Sequence, residues 1–109
     1  MSAETETDLV LAVLVGARKL LTPEGAWCQG ASTNERGQRC LLRALHESTP
    51  LVHGFPAWTV WREAISALRA VAQTKWTLTH WNEVAGRTQG EVLALLDKTV
   101  AARRAEVRA

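Results

Sequence analysis

Tyrosine is absent from this chain of 109 residues, and phenylalanine and methionine occur once each, yet tryptophan occurs five times. Cysteine occurs only at positions 28 and 40. Three prolines and seven glycines leave room for only a few breaks between elements, and the chain shows no internal repeat, low-complexity segment or linker. The apolar run from Leu9 to Val15 falls far short of the ~20 residues that a membrane span needs, so no membrane partner is expected. The stretch from Met1 to Asp8 is acidic and polar and lacks the basic start and apolar core of a secretory signal. A cytoplasmic location with both thiols reduced is therefore expected. Charge of neither sign dominates. The net charge of +2 and the pI of about 8.8 are too mild to mark a nucleic-acid binder by themselves.

What is present fits an ordinary globular protein, with 47% hydrophobic and 22% charged residues. One domain over 1–109 is the natural reading, since a chain of this size can bury a core without staples. Residues 1–7 are expected to be flexible and 104–109 frayed. Each tryptophan brings a large apolar surface and a ring N–H that wants an acceptor. Five of them imply a tight core, an adhesive surface patch, or both.

Apolar periodicity marks four helices and no strand of length. The first covers about Asp8 to Leu21, with Thr7 as its N-cap; Leu9, Val13, Ala17 and Leu20 share one face, with Val10, Leu14 and Leu21 beside it. Thr22-Pro23-Glu24-Gly25 ends it. A polar loop from Ala26 to Arg39 follows, with a turn at Asn34-Glu35-Arg36-Gly37. A short helix spans about Cys40 to Glu47. The third, about Ala57 to Gln73, carries the stripe Trp58, Trp61, Ile65, Leu68 and Ala72, which places both tryptophans in the core. Trp76 to Asn82 is a short extra helix or an extended strut. The last helix, about Gln89 to Glu106, opens on a Thr88/Glu91 capping box, turns Val92, Leu95, Leu96, Thr99 and Val100 inward, and ends in cations that suit its dipole. The expected fold is all-α, a compact bundle of four to five helices.

Three constellations invite chemistry. Cys28, Cys40, His46 and His53 form a zinc set on paper, but structural zinc ligands come in close pairs and these do not; no metal and no cofactor are expected. Cys40 opens a helix, a setting that favours the thiolate, and His80 and Asn82 follow in the order of papain-like hydrolases. That chemistry needs a scaffold to orient the imidazole, usually a sheet, and none is visible, so no catalytic residue is assigned and the chain is read as non-enzymatic. Gly86, Thr88 and Val92 suit a helix-turn-helix. Against it, Asn82 stands where a small apolar residue should lie, and Gly90 and Glu91 occupy positions where a DNA reader offers Arg, Lys, Gln or Asn.

The segments Trp27-Cys28-Gln29-Gly30-Ala31, Cys40-Leu41-Leu42-Arg43-Ala44-Leu45 and Trp81-Asn82-Glu83-Val84-Ala85-Gly86-Arg87-Thr88-Gln89-Gly90-Glu91-Val92 together resemble a family of small helical proteins of bacteria and their phages. The family pattern is W-x-Q-G-A, C-x-x-G-A-L and W-N-D-x-x-G-R-T-x-x-E-V. Arg43 stands where the family has Gly, Glu83 where it usually has Asp, and Cys28 where it often has Thr. The resemblance implies a domain of unknown function, borne by a phage or prophage. By analogy with small phage proteins it implies binding to a host protein. A DNA-binding regulator is the second reading and a cysteine-dependent hydrolase the third.

The motifs also have structural roles. Trp81 can anchor its loop, Asn82 can bond its own turn, and Arg87 can clamp a carboxylate within the fold or on a partner. Gln29, Trp81, Asn82 and Arg87 are the partner-binding candidates. The loops Trp27 to Ala31 and Trp81 to Thr88 are expected to meet, and their polar residues to form one cluster. That expectation carries a condition: the first and last helices should cross steeply or run parallel.

Overall fold

The computed structural model describes residues 8–108 and shows five α-helices and one minimal hairpin. In order these are α1 (Leu9–Leu21), α2 (Leu41–Ser48), β1 (Leu51–Val52), β2 (Phe55–Pro56), α3 (Trp58–Ala72), α4 (Leu78–Glu83) and α5 (Gln89–Arg108). The all-α bundle expected from periodicity is the observed fold. Trp76 to Asn82 resolves into the short helix α4, capped by Thr77, whose side chain accepts from the His80 amide. The hairpin closes through His53 and Gly54, both at positive φ (53° and 83°), the two-residue turn that matches strand twist.

Helix α1 is the centre of the bundle and packs on α2, α3 and α5. Val10, Leu11, Val13, Leu14, Ala17 and Leu21 are buried. Leu9, placed inward by the periodicity, is 47% exposed, because the buried arc is centred on Val10, Leu14 and Leu21 rather than on Leu9. The cap of α1 is Asp8, whose carboxylate accepts from the Leu11 amide at 3.1 Å; Thr7 lies outside the described residues. Gly16 permits close approach of α2: an added Cβ would come within 2.9 Å of Ser48 Oγ.

Helices α1 and α5 are antiparallel. Gln89 Nε2 donates to Leu21 O (2.8 Å) at one end, Arg18 pairs with Asp97 (2.9 Å) midway, and Arg103 pairs with Asp8 (2.8 Å) at the other. Burial alone would raise the Asp8 carboxyl, but Arg103 and the Leu11 and Val10 amides outweigh it and hold it below the usual carboxylate range. Arg103 therefore does more than sit at a favourable dipole end. The inward set on α5 is as expected: Val92, Leu95, Leu96, Thr99 and Val100 are all buried. Thr99 disposes of its hydroxyl by donating to Leu95 O (2.7 Å). The helix continues to Arg108, two residues beyond the expected end.

The stripe on α3 is only partly a core stripe. Ala64 and Leu68 are buried, while Trp61, Ile65 and Ala72 are partly covered. Trp58, expected in the core, is 49% exposed. It occupies the first turn of α3, where the chain has just left the exposed hairpin and no neighbouring helix covers it fully.

Candidate functional site

Loop Trp27–Ala31 and loop Trp81–Thr88 meet, as expected, and Asn82 joins them. This residue is 1% exposed. Its Oδ1 accepts from Trp27 Nε1 (2.7 Å) and from the Leu41 amide (3.1 Å). Its Nδ2 donates to Cys28 O (3.2 Å) and to Glu83 Oε2 (2.8 Å). One buried amide thus ties all three motif segments: three of its four bonds are long-range, the fourth goes to the neighbouring Glu83 side chain, and none goes to the backbone of its own turn. Gln29 Nε2 donates to Asn82 O (2.8 Å) and Val84 O (2.9 Å). Glu83 Oε1 takes the Gly30 amide at 2.7 Å. We refer to this network as the clasp.

The meeting does not rest on the expected steep or parallel crossing of the first and last helices, since α1 and α5 are antiparallel. Helix α1 runs into the first loop, and α5 runs away from the second. Antiparallel pairing therefore brings both loops to the same end, and no steep or parallel crossing is needed. Gln89 reinforces the arrangement, donating to Pro23 O (2.7 Å) and accepting from the Gly25 amide (3.2 Å).

Arg87 extends the clasp. Its Nε donates to Trp81 O at 3.0 Å, its guanidinium carbon lies 3.8 Å from the centre of the Trp81 ring, and its Nη1 is 3.5 Å from Glu91 Oε2. It clamps an internal carboxylate and stacks on an internal ring. The turn before it uses Gly86 at φ 83°. The capping box is as read: Glu91 Oε1 accepts from the Thr88 amide (2.9 Å) and Thr88 Oγ1 accepts from the Glu91 amide (3.1 Å). Gln29, Trp81, Asn82 and Arg87 are thus brought together, with the Asn82 amide, Gln29 Nε2, and Arg87 Nε and Nη1 engaged inside the chain.

Beside the clasp lies a groove of about 570 Å³, which sequence reasoning missed. Its walls draw on each motif segment: Gly30 and Ala31 from the first, Cys40, Leu42 and Arg43 from the second, Glu83 from the third. His46, Trp61 and Thr79 complete it, and the wall is largely apolar. The carboxylate of Glu47 sits between Arg39 (3.0 Å) and Arg43 (2.7 Å), which neutralises the cation on the rim. Arg39 first, then Arg43, holds the Glu47 carboxyl below its ordinary range against the opposing effect of burial. The Glu83 carboxylate is engaged by the clasp. Among the described residues, Trp61 Nε1 is the one buried side-chain polar atom without a partner. The Trp61 ring meets Trp58 edge-to-face at 5.5 Å, and Trp58 in turn faces His46 at 5.9 Å. This aromatic path returns to the groove at His46 by way of the exposed Trp58, which follows in sequence the hairpin whose Leu51, Val52 and Phe55 are 68%, 52% and 70% exposed.

The hydrolase constellation does not assemble. Asn82 is committed to the clasp, and the exposed His80 stacks on Trp76 at 5.3 Å. His46 shares the groove with Cys40 but lies six residues further on, roughly 9 Å of helical rise away, beyond direct proton transfer. Cys40 is the N-cap of α2, its Sγ accepting from the Arg43 amide at 3.3 Å. No three His, Cys, Asp or Glu side chains cluster in a way that could hold a metal ion among the described residues.

Among curated proteins and among solved structures, none matches this chain. One family model does, over residues 5–102, which takes in the clasp and the walls of the groove. The chain belongs to that family, a family of unknown function (DUF6197).

Proposed function

We propose that this is a non-enzymatic protein-binding module that receives an apolar segment of a partner in the groove, with the aromatic path and hairpin extending the contact. The observation that carries this reading is the convergence of all three motif segments on one largely apolar groove. Arg43 and Glu83, two of the departures from the family pattern, both line it, which suits a surface tuned to a particular partner. The exposed Leu51, Val52, Phe55 and Trp58 form the kind of apolar patch that marks interaction sites. Trp61 adds an unpaired donor at the groove wall. In keeping with the bacterial and phage resemblance, the partner is a host protein and the setting is the cytoplasm.

The test is capture from bacterial lysate by the purified chain, with and without nuclease, beside Leu42→Glu as a groove variant and Lys98→Ala as a control on α5. A protein retained after nuclease, lost with Leu42→Glu and kept with Lys98→Ala is the expected result. Unchanged capture by a folded Leu42→Glu chain would refute the groove. Capture that vanishes with nuclease would favour the second reading, a DNA-binding regulator. That reading keeps α4 and α5 in the order of a helix-turn-helix. However, Arg87 is stacked on Trp81 and Glu91 occupies the first turn of α5. Duplex DNA is expected to bind weakly and to be released by moderate salt, since a chain of net charge +2 neutralises few phosphates.

A further inference from the structure

The register of the first loop makes Cys28 and Cys40 immediate neighbours, and from it we infer a redox modification site: an intrachain disulfide between them, formed by reaction with a peroxide and reopened by a dithiol. This inference is independent of the binding reading. The Arg39 amide donates to Ala26 O (2.8 Å) and the Cys28 amide donates to Arg39 O (3.0 Å), a parallel bridge that pairs Trp27 with Arg39. The next pair in that register is Cys28 with Cys40. Paired parallel strands lie ~4.8 Å apart, inside the Cα separation of ~4.4–6.8 Å that a disulfide accepts. Side chains of directly paired residues also leave the ladder on the same face. Asn82 fixes both positions, since it binds the carbonyl of Cys28 and the amide of Leu41, the peptide groups that follow the two cysteines.

The two thiols are unequal in access. Cys40 lines the groove and is half-buried, while Cys28 lies behind it at 7% exposure. Burial, followed by the nearby Cys40 and Glu83, pushes the Cys28 thiol above its ordinary range. Cys40, the thiol that a peroxide entering the groove meets, attacks first. Its sulfur bonds to the near oxygen of the peroxide, the O–O bond breaks, and the departing oxygen leaves as water or an alcohol after taking a proton. Cys40 is now a sulfenic acid. The Cys28 sulfur attacks the Cys40 sulfur, the S–O bond breaks, and the hydroxide leaves as water with the Cys28 proton. Two electrons pass from the thiols to the peroxide. A dithiol returns them by exchange and is itself oxidised. In the oxidised form Cys40 Sγ turns from the Arg43 amide towards Cys28, which loosens the first turn of α2 and alters the groove wall.

The test uses the full chain, reduced, then treated with a small excess of hydrogen peroxide and examined by intact mass and thiol alkylation. The expected result is a loss of two hydrogen masses, no alkylatable thiol, a Cys28–Cys40 cross-linked peptide, and recovery of both thiols with dithiothreitol. Cys28→Ala should halt at a Cys40 sulfenic acid that dimedone traps, and Cys40→Ala should leave Cys28 unmodified at the same dose. Wild-type chain that gains oxygen at Cys40 while Cys28 remains alkylatable would overturn the proposal. So would covalent dimers as the main product.

Discussion

At the clasp, each polar group of Asn82, Gln29 and Glu83 described above meets a partner inside the chain, whereas along Leu51–Trp58 four large apolar side chains stand in solvent. The clasp supplies Gly30 and Glu83 to the groove wall, and Trp58 at the end of the hairpin segment touches Trp61 and His46 of that wall. The two regions differ in what is left over. In the clasp the Asn82 amide and Gln29 Nε2 spend their hydrogens inside the chain, and Asn82 holds three segments in register. The hairpin edge has two residues per strand and little cover, so its apolar surface contributes little to the fold. The difference teaches that a group's place in a motif and its availability for binding are separate properties. Under the proposed binding reading, the motif segments shape the groove, and Leu42, Trp61, Trp58 and the hairpin are the surface that would meet a partner.

The comparison breaks most readily at Asn82. Asn82→Ala strands the Trp27 ring N–H, the Leu41 amide and the Cys28 carbonyl in a dry site. At ~1–3 kcal/mol for each buried group left unpaired, less whatever relaxation recovers, a loss of about 3 kcal/mol is expected from the denaturant midpoint. A loss below about 1 kcal/mol would mean that water replaces the amide and that the clasp is not structural. Next comes Thr88→Ala, which removes the acceptor for the Glu91 amide at the start of α5. The site is exposed, and about 1 kcal/mol is expected. An unchanged midpoint would show that Gln89, anchored to Leu21 and Pro23, sets the helix start by itself.

Much of this architecture was legible because it is local. The capping box, the inward face of α5 and the turn at Gly37 depend on residues within a few positions of one another. The meeting of the loops was legible too, since both join helix ends, but the helix directions attached to it were mistaken. Leu9 and Trp58 depart from the periodicity for two physical reasons. The buried arc of α1 is centred on Val10, Leu14 and Leu21, away from Leu9, and periodicity does not tell where along α3 the cover of neighbouring helices stops, which leaves Trp58 exposed. Asn82 was read as a turn former because an Asx bond is the nearest partner that sequence offers. Its real partners, Trp27 and Leu41, are distant in the chain. The groove left no local signal, since Gly30, Leu42, Trp61 and Glu83 share nothing until the chain has folded. The juxtaposition of Cys28 with Cys40 was hidden likewise, because it rests on a single bridge between Trp27 and Arg39.

The smallest effect on stability is expected at the other region, and it sharpens the comparison most. Phe55 is 70% exposed at the second strand of the hairpin, paired with Val52, itself 52% exposed. Replacing it with serine removes an aromatic ring from solvent rather than from the core. Surface changes of this kind stay within about 0.5 kcal/mol, and Phe55→Ser should do the same by thermal or denaturant unfolding. Its effect on capture should be far larger than its effect on stability, because aromatic anchors carry a disproportionate share of interface energy. Asn82→Ala should behave in the opposite sense: lost stability, with any lost capture following from the disordered groove. If Phe55→Ser destabilised the chain by more than about 1 kcal/mol, the hairpin would be part of the core and the contrast with the clasp would fail. If it left both stability and capture untouched while Leu42→Glu abolished capture, the partner's footprint would end within the groove at Trp61.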